Sequence, residues 1–296
     1  MRRAVAGIVV LVAALMWAGA AFVQDWWPPK PLPGYNIFND QQEIWLGEVF
    51  AEELGIDNEV VDDPEAQAYL QQLGERLVLK SKRPELKYQF FLLDRRGVQA
   101  SALPGGRVYV TKGMVEFCEN EAELAAVLGH EVGHIALRQG AKTFSRWLFW
   151  GLGVSQVGDK EDIRRKDEQF HRHLAETGGF QIATDLMFGI MRADEVWADK
   201  YGIWNAHAAG YDPQAAVSVF RRFDAKEQEA RGDPFEQDPF LLLLELLMSS
   251  HPQSGDRANL LELEIPWMKK NPKAVLDTEE FQRFKRRVAG EAEAAE

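Results

Sequence analysis

The pentapeptide His130-Glu131-Val132-Gly133-His134 constrains this chain more than any other feature of its sequence. It follows Ala122, Leu124, Ala125, Ala126, Val127 and Leu128, which make the helix expected here strongly apolar. Asn120, with Glu123 three residues on, predicts a capping box at the start of that helix. Helical residues four apart lie on one face a turn away from each other, so both imidazoles can converge on one ion. Glu131 is displaced by one position, close enough to reach water at such an ion but poorly placed as a ligand. Burying two imidazoles and a carboxylate without partners is costly, and a bound metal removes that cost. The competing reading, two separately satisfied core histidines, leaves Glu131 unexplained.

Two histidines are one protein ligand short of a catalytic site whose fourth position is left to water. The segment Ala193-Asp194-Glu195-Val196-Trp197-Ala198-Asp199 supplies candidates. Glu195 completes a His2Glu set. Asp199, four residues on and therefore on the same helical face, can accept a hydrogen bond from the far nitrogen of a ligating histidine and fix its tautomer. Met191, Val196, Trp197 and Ala198 around them imply an inward face. The chain's single cysteine, Cys118, excludes an intramolecular disulfide and a cysteine-rich zinc module, and itself reads as a small buried hydrophobe. Its formal charge of −12, from 34 Lys+Arg against 46 Asp+Glu, argues against a duplex nucleic-acid binder, which needs a basic face.

The 296 residues, 46% of them hydrophobic, supply a large core. Arg2 and Arg3 precede the apolar run Ala4 to Val23, so residues 1–24 read as a signal peptide cut near Ala18-Gly19-Ala20 or as a signal-anchor helix with Trp26 and Trp27 at the interface. Both readings place the rest outside the cytoplasm, periplasmic or anchored by one span. Residues 25–38 form a Pro-rich linker, 39–290 the folded domain and 291–296 an acidic tail. Asn39 or Asp40 can cap a first helix and Asp63-Pro64 opens a second. Tyr88 to Leu93 and Arg107 to Thr111 read as strands separated by turns, and almost everything from Lys112 onward reads helical, including Asp212-Pro213 onward and the Leu-rich Phe240 to Met248. The fold expected is α+β, mainly α, with one small sheet beside the histidine helix. The aromatic stretch 144–153 reads as an interfacial membrane contact, a lid over the cleft or a core helix. Glu161 to Glu176, with His171 and His173, reads as an exposed charged helix rather than a second metal site.

Together these motifs resemble the gluzincin zinc metalloendopeptidases of the prenyl-protease and HtpX-like family, with its periplasmic BepA-like members nearest. H-E-V-G-H and E-V-W-A-D carry the resemblance first. Ala102 to Thr111 is similar to the strand segment before the family's zinc helix, Asn39 to Glu48 (Gln41, Glu43, Gly47) to its opening helix, and Gly210-Tyr211-Asp212-Pro213 and His251-Pro252 with Arg257 to its later motifs. The likeness runs from about Asn39 to Leu261. It implies a zincin-type domain holding one Zn²⁺ per chain on His130, His134 and Glu195. Glu131 would be the general base and then acid of peptide hydrolysis in unfolded, misassembled or envelope proteins. It also implies that the strand Arg107 to Thr111 offers an edge to an extended substrate, touched by Val108 and Tyr109. His251 would lie near the metal, as a catalytic oxyanion donor or as a latch on the open position. Arg257 would pair with a site carboxylate or the tetrahedral intermediate, although a surface ion pair is as compatible with its position. Gln99 stands where the family has an asparagine for substrate backbone. No helical-repeat extension follows residue 290, so no repeat-built partner platform is expected. The competing function is a chaperone-like envelope assembly factor with a latched zinc site and little proteolysis; an intact Glu131 favours the enzyme.

Overall fold

A computed structural model describes residues 34–177, 180–229 and 257–291. The apolar stretch 4–23, the Leu-rich segment 240–248 and His251 lie outside the described residues, so the expectations placed on them stand as made.

Helix α1 (Asp40–Leu54) begins where its cap predicts: Asn39 Oδ1 accepts from the Gln42 amide at 2.9 Å and Gln42 Oε1 accepts from the Asn39 amide at 3.0 Å. Asp63 caps α2 (Pro64–Val78), accepting from the amides of Glu65 and Ala66. The sheet comprises β1 (Gln89–Leu93), β2 (Ala100–Leu103) and β3 (Arg107–Thr111) in the order β1-β3-β2. Strand β2 is not foreseen in the sequence, because Ala-Ser-Ala-Leu has weak strand preference. It forms through its antiparallel register with β3, Ala100 opposite Val110 and Leu103 opposite Arg107.

That topology corrects the docking edge. β3 is the central strand, parallel to β1 on one side and antiparallel to β2 on the other, so its main chain has no side left for a substrate. Val108 and Tyr109 are buried, and the Tyr109 hydroxyl accepts from Arg107 Nε at 2.8 Å while donating to Asp57 Oδ1 at 2.9 Å. Neither can touch an incoming chain. The main chain of Gln99 is paired with Thr111, its N–H donating to Thr111 Oγ1 and its carbonyl accepting the Thr111 amide, both at 3.1 Å; these bonds leave the expectation for its side-chain amide as it stood. The opposite end of β2, Ala102 and Leu103, is the one that lines a pocket with His134.

Gly47 is what lets α1 lie against the turn between β2 and β3. A Cβ there would fall 2.0 Å from the Pro104 carbonyl oxygen, and one on Gly105 (φ 79°) would strike the backbone of Ile44. The remaining helices are α3 (Lys112–Phe117), α4 (Glu121–Ala136), α5 (Gln139–Leu152), α6 (Lys160–Thr177), α7 (Phe180–Ala208), α8 (Gln214–Glu229), α9 (Arg257–Glu262) and α10 (Glu279–Ala289). The histidine helix α4 is central, packed by α2, α7, α8 and the sheet. Its capping box is only half made. Asn120 Oδ1 accepts from the Glu123 amide at 3.0 Å, but the Glu123 carboxylate turns to the Glu119 amide and the Arg222 guanidinium instead.

A second apolar cluster joins α1, α5 and α6. The aromatic stretch 144–153 divides between its readings: Phe144, Trp147 and Leu148 are core, whereas Phe149 and Trp150 are 47% and 73% exposed. Helix α6 is not exposed all round, because Ile163, Asp167, Phe170 and Leu174 are buried at the three-and-four spacing of one helical face. Among the described residues no helix is long and apolar enough to cross a membrane.

Candidate metal centre

The centre is built where α4 meets α7, and small residues set the approach. A Cβ on Gly129 would lie 2.9 Å from the Gly202 carbonyl oxygen, one on Gly133 would lie 3.2 Å from that of Ala198, and one on Gly202 would lie 2.7 Å from the His130 amide nitrogen. Only near-contact of the two backbones brings Glu195 and Asp199 of α7 onto the imidazoles of α4. Sequence reasoning overlooked these glycines, although Gly129 and Gly133 repeat at the spacing of the two histidines. Gly202→Val is expected to destabilise the fold by about 1–3 kcal/mol through overpacking against main chain. It should also lower metal uptake, because His130 has to move. Thermal melts followed by circular dichroism check this, and a melting temperature equal to the wild type would refute the close approach.

His130 Nε2 and His134 Nε2 are 2.9 Å apart, and the Glu195 carboxylate lies 3.4 Å from the first and 3.5 Å from the second. Four-coordinate zinc with bonds near 2.0–2.1 Å needs donor-to-donor edges of about 3.3 Å. The observed triangle straddles that value, so this donor set fits the ion.

The hydrogen bonds behind the imidazoles explain why their inner nitrogens present lone pairs. His130 Nδ1 lies 2.8 Å from Asp199 Oδ1 and donates to it, since an ionised carboxylate only accepts. His134 Nδ1 meets Gln139 Oε1 at 2.5 Å. The amide of Gln139 can face only one way, because its Nε2 donates to the Asp194 carbonyl at 2.8 Å. With both Nδ1 atoms protonated, both Nε2 atoms are acceptors, and a third acceptor, the Glu195 carboxylate, faces them. Three acceptors turned on one another, two of them buried and that of His134 half-buried, repel unless a cation lies between them. Glu131 is buried on α4 beside them.

Asp199 is held by Arg257, whose Nε and Nη2 donate to its two oxygens at 2.7 and 2.5 Å. Burial alone would push the Asp199 carboxyl up; the Arg257 charge, the Arg257 hydrogen bonds and His130 outweigh it and hold the group down at about 2. Arg257 is buried, lies over the Phe220 ring at 4.6 Å and comes within 3.6 Å of Glu195. It is therefore a site-carboxylate partner and not a surface ion pair.

Gln139 was missed in the sequence. Its signal is weak, because it lies beyond the end of α4, across Arg138 in a left-handed conformation (φ 59°), and that reversal is what folds it back onto His134. Arg138 in turn meets Glu43 of α1 at 3.2 Å, and Arg83 bridges Glu43 (2.8 Å) and the Ile135 carbonyl (3.2 Å) near the end of α4. The buried Glu43 thus ties the first helix to the junction beside the centre. His251 falls outside the described residues.

Comparison with known proteins agrees with this arrangement. Residues 64–265, more than half of the chain, match peptidase family M48. The chain is 26% identical over 256 residues to the beta-barrel assembly-enhancing protease of Escherichia coli (strain K12), covering 84% of this chain and 48% of that protein. It is also 26% identical over 199 residues to the mitochondrial metalloendopeptidase OMA1 of Schizosaccharomyces pombe, covering 67% of this chain and 52% of the relative. The chain thus spans about half the length of these curated relatives. Family membership implies a metal, and His130, His134 and Glu195 are placed to hold one. On the extent of the family match and the motifs within it, the chain belongs to peptidase family M48.

Proposed function

We propose that this chain is a zinc-dependent endopeptidase that cuts unfolded or misassembled proteins of the cell envelope, using one Zn²⁺ held by His130, His134 and Glu195. The observation that carries the proposal is the triangle of three inward-facing acceptors, buried at His130 and Glu195 and half-buried at His134, with edge lengths close to tetrahedral and each imidazole backed by a fixed acceptor. Two imidazoles and one carboxylate, with a coordination position left open, form a catalytic rather than a structural donor set. Zinc there supplies a Lewis acid that acidifies water and polarises a substrate carbonyl.

The chain's own residues do the rest. Glu131 takes the proton from the attacking water and delivers it to the leaving amine. Asp199 and Gln139 keep the two imidazoles in the tautomer that turns their lone pairs inward, and Arg257 keeps Asp199 ionised. The outer edge of β2, which packs beside α4, takes over the docking role first given to β3, because it can pair with an extended peptide. An envelope substrate is supported by the name of the Escherichia coli relative, a beta-barrel assembly-enhancing protease, and by the apolar run behind Arg2 and Arg3.

Removing the metal tests the reading. Chelation followed by dialysis is expected to abolish cleavage of an unfolded protein, and one added equivalent of Zn²⁺ to restore it. His134→Ala should bind one zinc fewer than the wild type and stay inactive. Cleavage that survives chelation, or an unchanged metal content in His134→Ala, would overturn the assignment.

A further inference from the structure

The interface between α1 and α6 contains a second group of ligand-type side chains that shares no residue with the centre on α4 and α7. Glu53 stands in the last turn of α1, and Asp167 and His171 lie one turn apart on α6. Each presents one ligand atom, and these atoms all lie within 4.8 Å of one another. His171 Nε2 is 3.2 Å from Asp167 Oδ1. Asp167 has 0% exposure; no main-chain, Arg or Lys donor reaches its oxygens or the buried Oε2 of Glu53, and the two carboxyl groups face each other closely enough to share a proton.

The cations of this interface hydrogen-bond to other carboxylates, although the Arg164 charge still acts on Glu53 from a distance. Lys160 Nζ binds Glu48 and Glu52 at 2.7 and 2.8 Å, Arg164 Nη2 donates to Glu52 at 2.7 Å, and Lys166 binds Asp162. Glu168 adds a further negative charge near Asp167. Two carboxyl groups packed side by side, Asp167 fully and Glu53 half buried, with no Arg or Lys in hydrogen-bond range, resist ionising together, a cost that a divalent ion or a shared proton offsets. One imidazole and two carboxylates is a borderline donor set. It suits zinc or manganese, whereas magnesium prefers oxygen ligands and retained water.

We propose that Glu53, Asp167 and His171 form a second divalent-cation site, taking zinc or manganese in preference to magnesium, that clamps α6 onto α1. The site does not depend on the endopeptidase reading. Helix α6 covers the aromatic face of α5, where Trp147 stacks on Phe170 at 5.8 Å, so a clamp there braces the second apolar cluster.

The full chain, stripped of metal and titrated with Zn²⁺, Mn²⁺ or Mg²⁺ alone, tests this by calorimetry and by metal analysis after gel filtration. Wild type is expected to bind two zinc ions, His134→Ala one, and His134→Ala combined with Asp167→Asn none. Because the α4–α7 centre is removed in His134→Ala, its remaining zinc reports on the α1–α6 site alone. Zinc at a hundred times its Kd should raise the melting temperature of His134→Ala by about 5 °C. Adding His171→Ala should abolish that rise, a second readout should Asp167→Asn fail to fold. Mg²⁺ should raise it far less. No residual zinc in His134→Ala, or a melting temperature raised by Asp167→Asn with zinc present, would overturn the proposal. The second result would mean that the carboxyl pair is relieved by a shared proton and not by a metal.

Discussion

Glu131→Gln is expected to lower kcat for cleavage of an unfolded protein by about 100- to 10,000-fold while leaving its zinc content unchanged, the usual range for losing a general base. The substitution keeps shape and hydrogen-bonding capacity but removes the basic lone pair, so it separates proton transfer from everything else the side chain does. Glu131 lies in the interior of α4, one position from His130 and buried with it, where bulk water cannot stand in as the base. The ligand triangle is complete without it, which is why metal should be retained. KM should stay near the wild-type value, because no ground-state contact to substrate is removed. A fluorogenic unfolded substrate and metal analysis of the same preparation give both readouts. A variant that cleaves like the wild type would remove Glu131 from the role, and one that loses zinc would make it a ligand.

The parts of this molecule legible in its sequence are those fixed by local chemistry. Asn39 and Asp63 cap helices where their side chains predict, and the four-residue spacings of His130 with His134 and of Glu195 with Asp199 place each pair on one helical face. What escaped is non-local. Strand β2 exists because β3 offers a ladder, not because Ala-Ser-Ala-Leu asks for one, and its insertion beside β3 moved the sheet's edge away from Val108 and Tyr109. Glu123 satisfied half of a capping box and then went to Arg222, a partner 99 residues distant that no local pattern reveals. Gln139 acts through a left-handed Arg138, a conformation that costs a non-glycine residue energy and that its sequence does not advertise. Helix α6 looked solvated because its charges dominate its composition, yet one of those charges, Asp167, is fully buried.

Arg257→Met is expected to cost about 3–5 kcal/mol of stability in metal-free protein, since removing one member of a buried ion pair strands the other. The guanidinium forks onto both oxygens of Asp199 and lies over Phe220, and Asp199 is only 4% exposed, so without Arg257 the carboxylate recovers little of its solvation. The double variant, Arg257→Met with Asp199→Asn, removes both charges and should regain most of that loss. A double-mutant cycle should therefore show strong coupling between the two positions. Zinc affinity should not recover in parallel. Asp199 accepts the Nδ1 proton of His130 at 2.8 Å, and a neutral amide is a weaker acceptor than a carboxylate. Loss of such support behind a ligating histidine lowers affinity by about 10- to 100-fold. Denaturant titration and competitive zinc binding on the single and double variants separate these effects. If the double variant regains both stability and affinity, Asp199 serves only to neutralise Arg257. If Arg257→Met alone stays within experimental error of the wild type, the pair is solvated, and α9 does not close over the centre as the geometry of Arg257 requires.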